Sequence, residues 1–355
     1  MSQANLTSLS GLDPSCIYRF ESAILPPFLN THIVMSTKKF PVPLSYFSMP
    51  LGLFALGLSW RYGAHIGLLP NWAAETLLAA AFVLWLLLVI AYIIKIRFFR
   101  PEFLQDLQDL VQCCFISAIP ITTMLAGLAA LPYQTLPAKG LILLGTAGQL
   151  AFAMYRAGGL WRGVHTLDAT TPIVYLPTVA TNFVSATAMA ALGWSDYAWL
   201  FLGAGLFSWL SLEAAILSRL RTGTPVNAPV RGIVGIQLAP AFVGCGAYFA
   251  ASGGHIDTFS LLLIGYGCLQ FLLLLRLLPW MLEQGFSPSF WGFSFGLAAM
   301  TGCGFHLIAE QRLLFLGYFL ATAGSGLVML LLLATLNLAR QGRLLVIGEM
   351  KNRAA

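Results

Sequence analysis

The chain has 355 residues, of which 9% are charged and 58% belong to the AVILMFWYC set; its mean hydropathy is +0.81. Soluble domains carry about 25% charged residues, so this composition offers no polar shell and excludes an ordinary water-soluble enzyme or binding module. The net charge of +6 does not point to nucleic acid, because the 19 lysines and arginines punctuate the ends of apolar segments and form no basic face.

Residues 1–37 are a polar lead, with Asp13 and Glu21 and no apolar stretch long enough for a secretory signal. The stretch from Met35, MSTKKFPVP, itself reads as a natural amino terminus. A spanning helix needs about 20 apolar residues, and ten such segments follow in a domain covering 38–345. Span one lies near 43–61, span two 73–95, span three 110–131, span four 138–156 and span five 174–193. Span six lies near 196–218, span seven 231–252, span eight 258–281, span nine 289–308 and span ten 313–338. A short tail, 346–355, closes the chain. Backbone groups in lipid must be satisfied within the segment, which predicts helices. Runs such as Leu261–Leu278 have no period-two alternation and exclude a lipid barrel. The expected fold class is therefore an all-α integral membrane protein.

Basic residues set the orientation. With the amino terminus in the cytoplasm, 16 of the 19 lysines and arginines fall inside; Arg61, Lys139 and Arg312 fall outside. That bias predicts an even number of spans and two cytoplasmic termini in a bacterial inner membrane. Links such as Gly193–Asp196 and Ser252–Asp257 are short on the outer side, so consecutive spans pair as five hairpins. The hairpins form a quasi-repeat of about 60 residues.

Pro50, Pro120, Pro177 and Pro240 lie within spans one, three, five and seven. Proline removes a helical N–H and clashes with the carbonyl a turn earlier, so four prolines on alternate helices predict kinked helices around an axis with straight ones outside. The odd helices also hold more small and polar residues, among them Ser45, Ser48, Thr122, Thr123, Asn182 and Gln237. Such residues serve helix packing or line a path. Span nine has no internal proline and carries Trp291-Gly-Phe-Ser-Phe-Gly296 instead.

Ionisable groups inside a membrane are functional by default, yet Glu75, Glu213 and Arg276 all lie near span ends, where anchoring is the expected role. None of the five histidines forms an i, i+4 metal pair, the six cysteines show no CxxC spacing, and no hydrolase, zinc-protease or nucleotide-binding motif is present. No enzyme and no cofactor are expected. Cation-coupled carriers bury carboxylates; a path without them suits anions.

The stretches Pro41-Val-Pro-Leu-Ser-Tyr-Phe-Ser-Met-Pro-Leu-Gly-Leu53, Ile119-Pro-Ile-Thr-Thr-Met-Leu125, Tyr175-Leu-Pro-Thr-Val-Ala-Thr-Asn-Phe183, Gly235-Ile-Gln-Leu-Ala-Pro-Ala241 and Phe293-Ser-Phe-Gly296 resemble the tellurite-resistance/dicarboxylate transporter (TehA) family, which includes the plant guard-cell slow anion channels. The resemblance covers about 38–345. It implies ten helices as five hairpins, with the odd helices as an inner ring around a central pore, and a homotrimer with one pore per subunit. It implies conduction of small inorganic anions such as chloride and nitrate, and a pore closed by a phenylalanine of helix nine, which falls on Phe295. Some relatives are described as dicarboxylate carriers, and others are tied to tellurite resistance or efflux of cationic dyes, so a carrier or exporter is the rival expectation. Ser48 stands where relatives often carry glycine. The residues expected along the path, or at its helix kinks, are Pro50, Pro120, Pro177, Pro240, Phe47, Ser48, Asn182 and Phe293, with membrane lipid around the helices and no nucleic-acid partner.

Overall fold

The computed structural model describes residues 40–163 and 166–344; the expectations for the polar lead 1–37 and the tail 346–355 lie outside the described residues. Among the described residues the regular structure is entirely helical. Nine segments are long and apolar enough to cross a bilayer: Asn71–Phe98, Gln112–Ala130, Thr135–Gly159, Pro172–Ala191, Ser195–Thr222, Ala228–Ser252, Thr258–Met281, Pro288–Ala309 and Leu314–Arg340. They are spans two to ten. Span one, Leu44–Phe47 continued by Ser48–His65, has the length and is buried without a break from Met49 to Gly57. Arg61 and His65 in its last turns dilute its apolar content. One helix was not expected: Arg100–Gln108, a charged segment between spans two and three that begins with Pro101 in its first turn.

Each span packs on its hairpin partner, and the odd spans close a ring in the order one, three, five, seven, nine and back to one. Burial separates the two layers. In spans three, five, seven and nine, 78%, 83%, 83% and 61% of the apolar window is buried, against 22–33% in the even spans. Leu87 and Ile93, Phe207 and Leu210, and Leu269 and Leu272 point outward from the even spans, as a surface solvated by acyl chains requires. Apolar burial gives no net drive between helices in lipid, so close backbone approach must supply it. Gly304 of span nine and Gly317 of span ten do this: a β-carbon on Gly304 would lie 2.6 Å from the Gly317 carbonyl oxygen.

The odd spans share a break. In span one a 3-10 turn, Leu44–Phe47, precedes the α-helix beginning at Ser48. In span three Gln112–Phe115 and an irregular turn precede Ala118–Ala130. Span five runs through a 3-10 turn, Pro172–Tyr175, and a π segment, Leu176–Ala180, before Thr181–Ala191. Span seven opens with the long 3-10 segment Ala228–Leu238 before Ala239–Ser252, and span nine with Pro288–Phe293 before Ser294–Ala309. Runs of 3-10 helix beyond three or four residues are uncommon, so these breaks are built in. Pro50 and Pro120 are third in their α-helices and Pro240 second, where the missing N–H has no intrahelical partner to lose. Pro177 is second in the π segment. Three of the prolines thus sit at the start of the α part, and Pro177 just before it. Span nine breaks in the same place without one: Gly292 and Gly296 let it lie against span seven, where a β-carbon on Gly296 would come 2.9 Å from the Ala239 nitrogen.

All five odd spans begin at one end of the molecule. This basic end carries Arg97, Arg100, Arg221, Arg231 and Arg340, together with the buried Lys95, Arg156 and Arg219. The far end carries the Arg61–Glu75 pair and Asp257, which caps span eight through a reciprocal pair of bonds with Ser260.

Candidate ion pathway

Two cavities lie on the axis of the inner ring. The one toward the basic end, narrow at about 40 Å³, is walled by the first parts of the odd spans and their breaks: Ser48 and Leu51, Phe115 and Ala118, Tyr175 and Val179, Ile236 and Pro240, Ser289 and Gly292. The one toward the far end, about 540 Å³, is walled by the α-helical halves, including Ser59 and Tyr62, Leu125 and Leu128, Val184 and Thr187, Phe249, and His306. Two residues border both cavities, Val243 and Phe295. Phe295 is the second residue of the α part of span nine, immediately past the break, and is 7% exposed.

The wall between these ends carries no charge. Ser45 borders the inner cavity as well, and three other polar side chains of its wall turn their protons to protein acceptors. The Ser48 hydroxyl donates to the Ser45 carbonyl at 2.6 Å, the Ser289 hydroxyl to the Pro229 carbonyl at 3.2 Å, and the Tyr175 hydroxyl to Glu213 Oε2 at 2.5 Å. On the far side, Ser59 donates to the Ala298 carbonyl at 3.0 Å and Thr187 to the Phe183 carbonyl at 3.2 Å. His306 is sandwiched between the rings of Tyr62 and Phe249, at 4.2 and 4.1 Å between centroids, and Glu310 sits at the rim with His255 3.0 Å away.

Of the residues expected along the path, Phe295, Ser48 and Pro240 border a cavity. The others point elsewhere. Phe47 is buried edge-on against Tyr92 of span two. Asn182 turns toward Gly205 of span six and donates to the Thr178 carbonyl at 2.5 Å. Phe293 stacks on Phe290 in a groove between spans eight, nine and ten, its ring filling the space left by Gly235. Pro120 rests on Gly145 and Gly148 of span four. Pro50 and Pro177 are buried in the ring without bordering either cavity.

Sequence reasoning passed over Tyr175, Ser289 and Trp291 as wall residues, and it placed Glu213 as a terminal anchor. Glu213 is instead the centre of a polar cluster joining spans five to eight. Beyond Tyr175, it accepts from Trp209 Nε1 at 2.7 Å, from Gln237 Nε2 at 2.7 Å, from the Tyr266 hydroxyl, and from Gln270 Nε2 at 3.4 Å.

The family model described as "Voltage-dependent anion channel" (SLAC1) matches residues 41–340. The tellurite resistance protein TehA homolog of Haemophilus influenzae is 41% identical over 271 residues, 76% of this chain and 82% of that protein.

Proposed function

Since the chain belongs to the SLAC1/TehA family of voltage-dependent anion channels, we propose that it passes small monovalent anions, chloride and nitrate among them, along the axis of its inner ring, and that the Phe295 ring is the closure. The observation that carries the reading is the meeting of two axial cavities at one aromatic side chain. Apolar constrictions stop ions by excluding their water. Three features favour anions. The wall of the inner cavity is uncharged, all five inner helices present their N-terminal ends to one cavity mouth, and that end holds buried arginines. The basic end is then the cytoplasmic one, in a bacterial inner membrane with both termini inside, and the protein works as a homotrimer with one path per subunit. The tellurite resistance named for the relative would follow from movement of an oxyanion by the same route. A carrier of dicarboxylates or dyes needs a substrate site between its two cavities; the spent hydroxyls of Ser48, Ser289 and Tyr175 argue against one.

The test is current in oocytes, or flux in liposomes, for wild type and Phe295→Ala in chloride and in nitrate. A large anion current that appears in Phe295→Ala alone is expected. Silence from a Phe295→Ala protein that is inserted and folded would remove Phe295 as the closure and return the carrier to first place.

A further inference from the structure

Tyr175 is the one phenol in the wall of the inner cavity, and a phenol O–H is a natural donor to a passing anion. Its proton is spent. Glu213 Oε2 takes it at 2.5 Å and takes the Trp209 N–H at 2.7 Å. Glu213 Oε1 takes Gln237 at 2.7 Å, Gln270 at 3.4 Å and the Tyr266 hydroxyl. Gln270 also donates to Tyr266 at 2.6 Å, and Gln237 Nε2 lies 3.2 Å from the Tyr175 oxygen. A carboxylate offers about four lone-pair sites and no donor, so Glu213 is the main acceptor for five sources, with Gln237 Oε1 a longer second acceptor for Tyr175 at 3.4 Å. No lysine or arginine is bonded to Glu213 among the described residues. The carboxylate is held by neutral donors from four helices and stands one side chain away from the path.

We propose that Glu213 is a specificity-determining residue of the anion path, acting through Tyr175: it withholds the phenol's proton, so that Tyr175 presents its ring and no hydrogen bond to the anion. The proposal rests on the channel reading above. It explains how three hydroxyls of the wall are kept from the anion: those of Ser48 and Ser289 are spent on backbone carbonyls, and that of Tyr175 needed an acceptor brought from outside the ring. Conduction requires an anion to bind weakly enough to leave, and a free phenol O–H in the cavity would tighten it. In Glu213→Gln one acceptor oxygen becomes a donor. Five donors then compete for a single oxygen, and Tyr175, left with Gln237 Oε1 at 3.4 Å, is freed to turn toward the cavity it borders.

The experiment uses the full chain in liposomes or planar bilayers, in the Phe295→Ala background. Two quantities are read: the chloride concentration at half-maximal current, and the nitrate-to-chloride permeability ratio from bi-ionic reversal potentials. One neutral hydrogen bond gained corresponds to about three- to tenfold in affinity. Adding Glu213→Gln is expected to lower the half-saturating chloride by about that factor and to move the ratio toward chloride. Adding Tyr175→Phe is expected to change neither, because the hydroxyl it removes does not serve the anion. Adding both should match Tyr175→Phe alone. An unchanged ratio and half-saturation in a conducting Glu213→Gln protein would overturn the proposal. A shift that survives in the combined variant would also overturn it, by showing the charge to act directly. A shift from Tyr175→Phe alone would do the same, and this arm decides the matter should Glu213→Gln not reach the membrane. Failure of Phe295→Ala by itself to conduct would instead strike the channel reading, before Glu213 enters.

Discussion

Gly52 offers a way to disturb the closure without touching Phe295. A β-carbon at Gly52 would fall 2.2 Å from the Ser294 hydroxyl oxygen and 2.3 Å from the Ser294 β-carbon, where non-bonded carbons settle at about 3.5–4.0 Å. Ser294 cannot swing clear, because the clash includes its β-carbon, and its hydroxyl already donates to the Trp291 carbonyl at 2.7 Å and reaches the Ser48 carbonyl at 3.2 Å. Gly52→Ala therefore forces spans one and nine apart by about 1 Å, at an overpacking cost of about 1–3 kcal/mol. The displaced residue is the neighbour of Phe295. The expected results are a lower melting temperature in detergent and a chloride leak in liposomes with Phe295 still in place. Ser294→Gly removes both clashing atoms and leaves the Ser294 carbonyl carbon as the nearest remaining atom, at 3.4 Å. On its own it should cost about 1 kcal/mol, for a glycine in a helix. Gly52→Ala/Ser294→Gly should then be no worse than Ser294→Gly alone, and its leak should fall back. Additive losses in the pair, or a neutral Gly52→Ala, would refute the reasoning.

At the far end, Arg61 holds Glu75 with two bonds of 2.7 Å and the Ala129 carbonyl at 3.0 Å, with the pair's side chains 21% and 27% exposed. Arg61→Ala should cost about 1–2 kcal/mol, and adding Glu75→Gln should recover part of it, read as melting temperatures across the double-mutant cycle. The Asp257 carboxyl lies below the ordinary carboxylate range because it accepts the Ser260 N–H and then the Tyr248 hydroxyl. Asp257→Ala should cost about 1 kcal/mol at neutral pH. A lowered folded pKa stabilises above the unfolded value of about 3.9 and loses that stabilisation as pH falls through the folded value. The gap between wild type and Asp257→Ala in thermal melts should therefore be full at pH 7 and close below about pH 4. Crosslinking in native membranes should give a ladder ending at trimer, and a ladder that stops at dimer would refute the trimer.

Much of the fold was legible because bilayer physics is strict. Apolar segment length gave ten helices, and alternating basic links gave their alternating direction. The four prolines marked the inner ring correctly, although for a different local reason. Three stand in the first turn of their α part, where proline is tolerated, and Pro177 in the π segment just before it; span nine reaches the same break by close packing of Gly292 and Gly296. The Arg100–Gln108 helix escaped notice because it is short, charged and outside the apolar pattern. The azimuth of each side chain was not legible. One step along a helix turns about 100°, and on a helix that is apolar all round no polar stripe fixes which face looks inward. Ser48 therefore borders the cavity while Phe47 turns to Tyr92, and Phe295 borders it while Phe293 fills a lipid-side groove. Glu213 was misplaced for a related reason. The donors that give it meaning on spans five, seven and eight lie 38, 24, 53 and 57 residues away, and no local pattern announces a contact at that separation.

The arrangement also bears on how an anion could be admitted without being trapped. Each inner helix end carries about half a positive charge, so five parallel ends amount to roughly 2.5 charges at the basic mouth. Taking roughly 10 Å and an effective dielectric of 20, the attraction on a monovalent anion is about 4 kcal/mol. Withdrawing the ion from water costs several kcal/mol in a protein interior. The two nearly cancel, and that is the condition for passage: an anion can approach the inner cavity, and no deep well holds it there. Each donor turned toward the path deepens the well, and the Ser48, Ser289 and Tyr175 protons are committed elsewhere. What remains between the cavities is an apolar step at Phe295 and Val243. A barrier of that kind discriminates little among small anions and responds to displacement of a single helix. Span nine, broken just before Phe295 and gripped there by Gly52 and Gly235 on its neighbours, is the element able to move it.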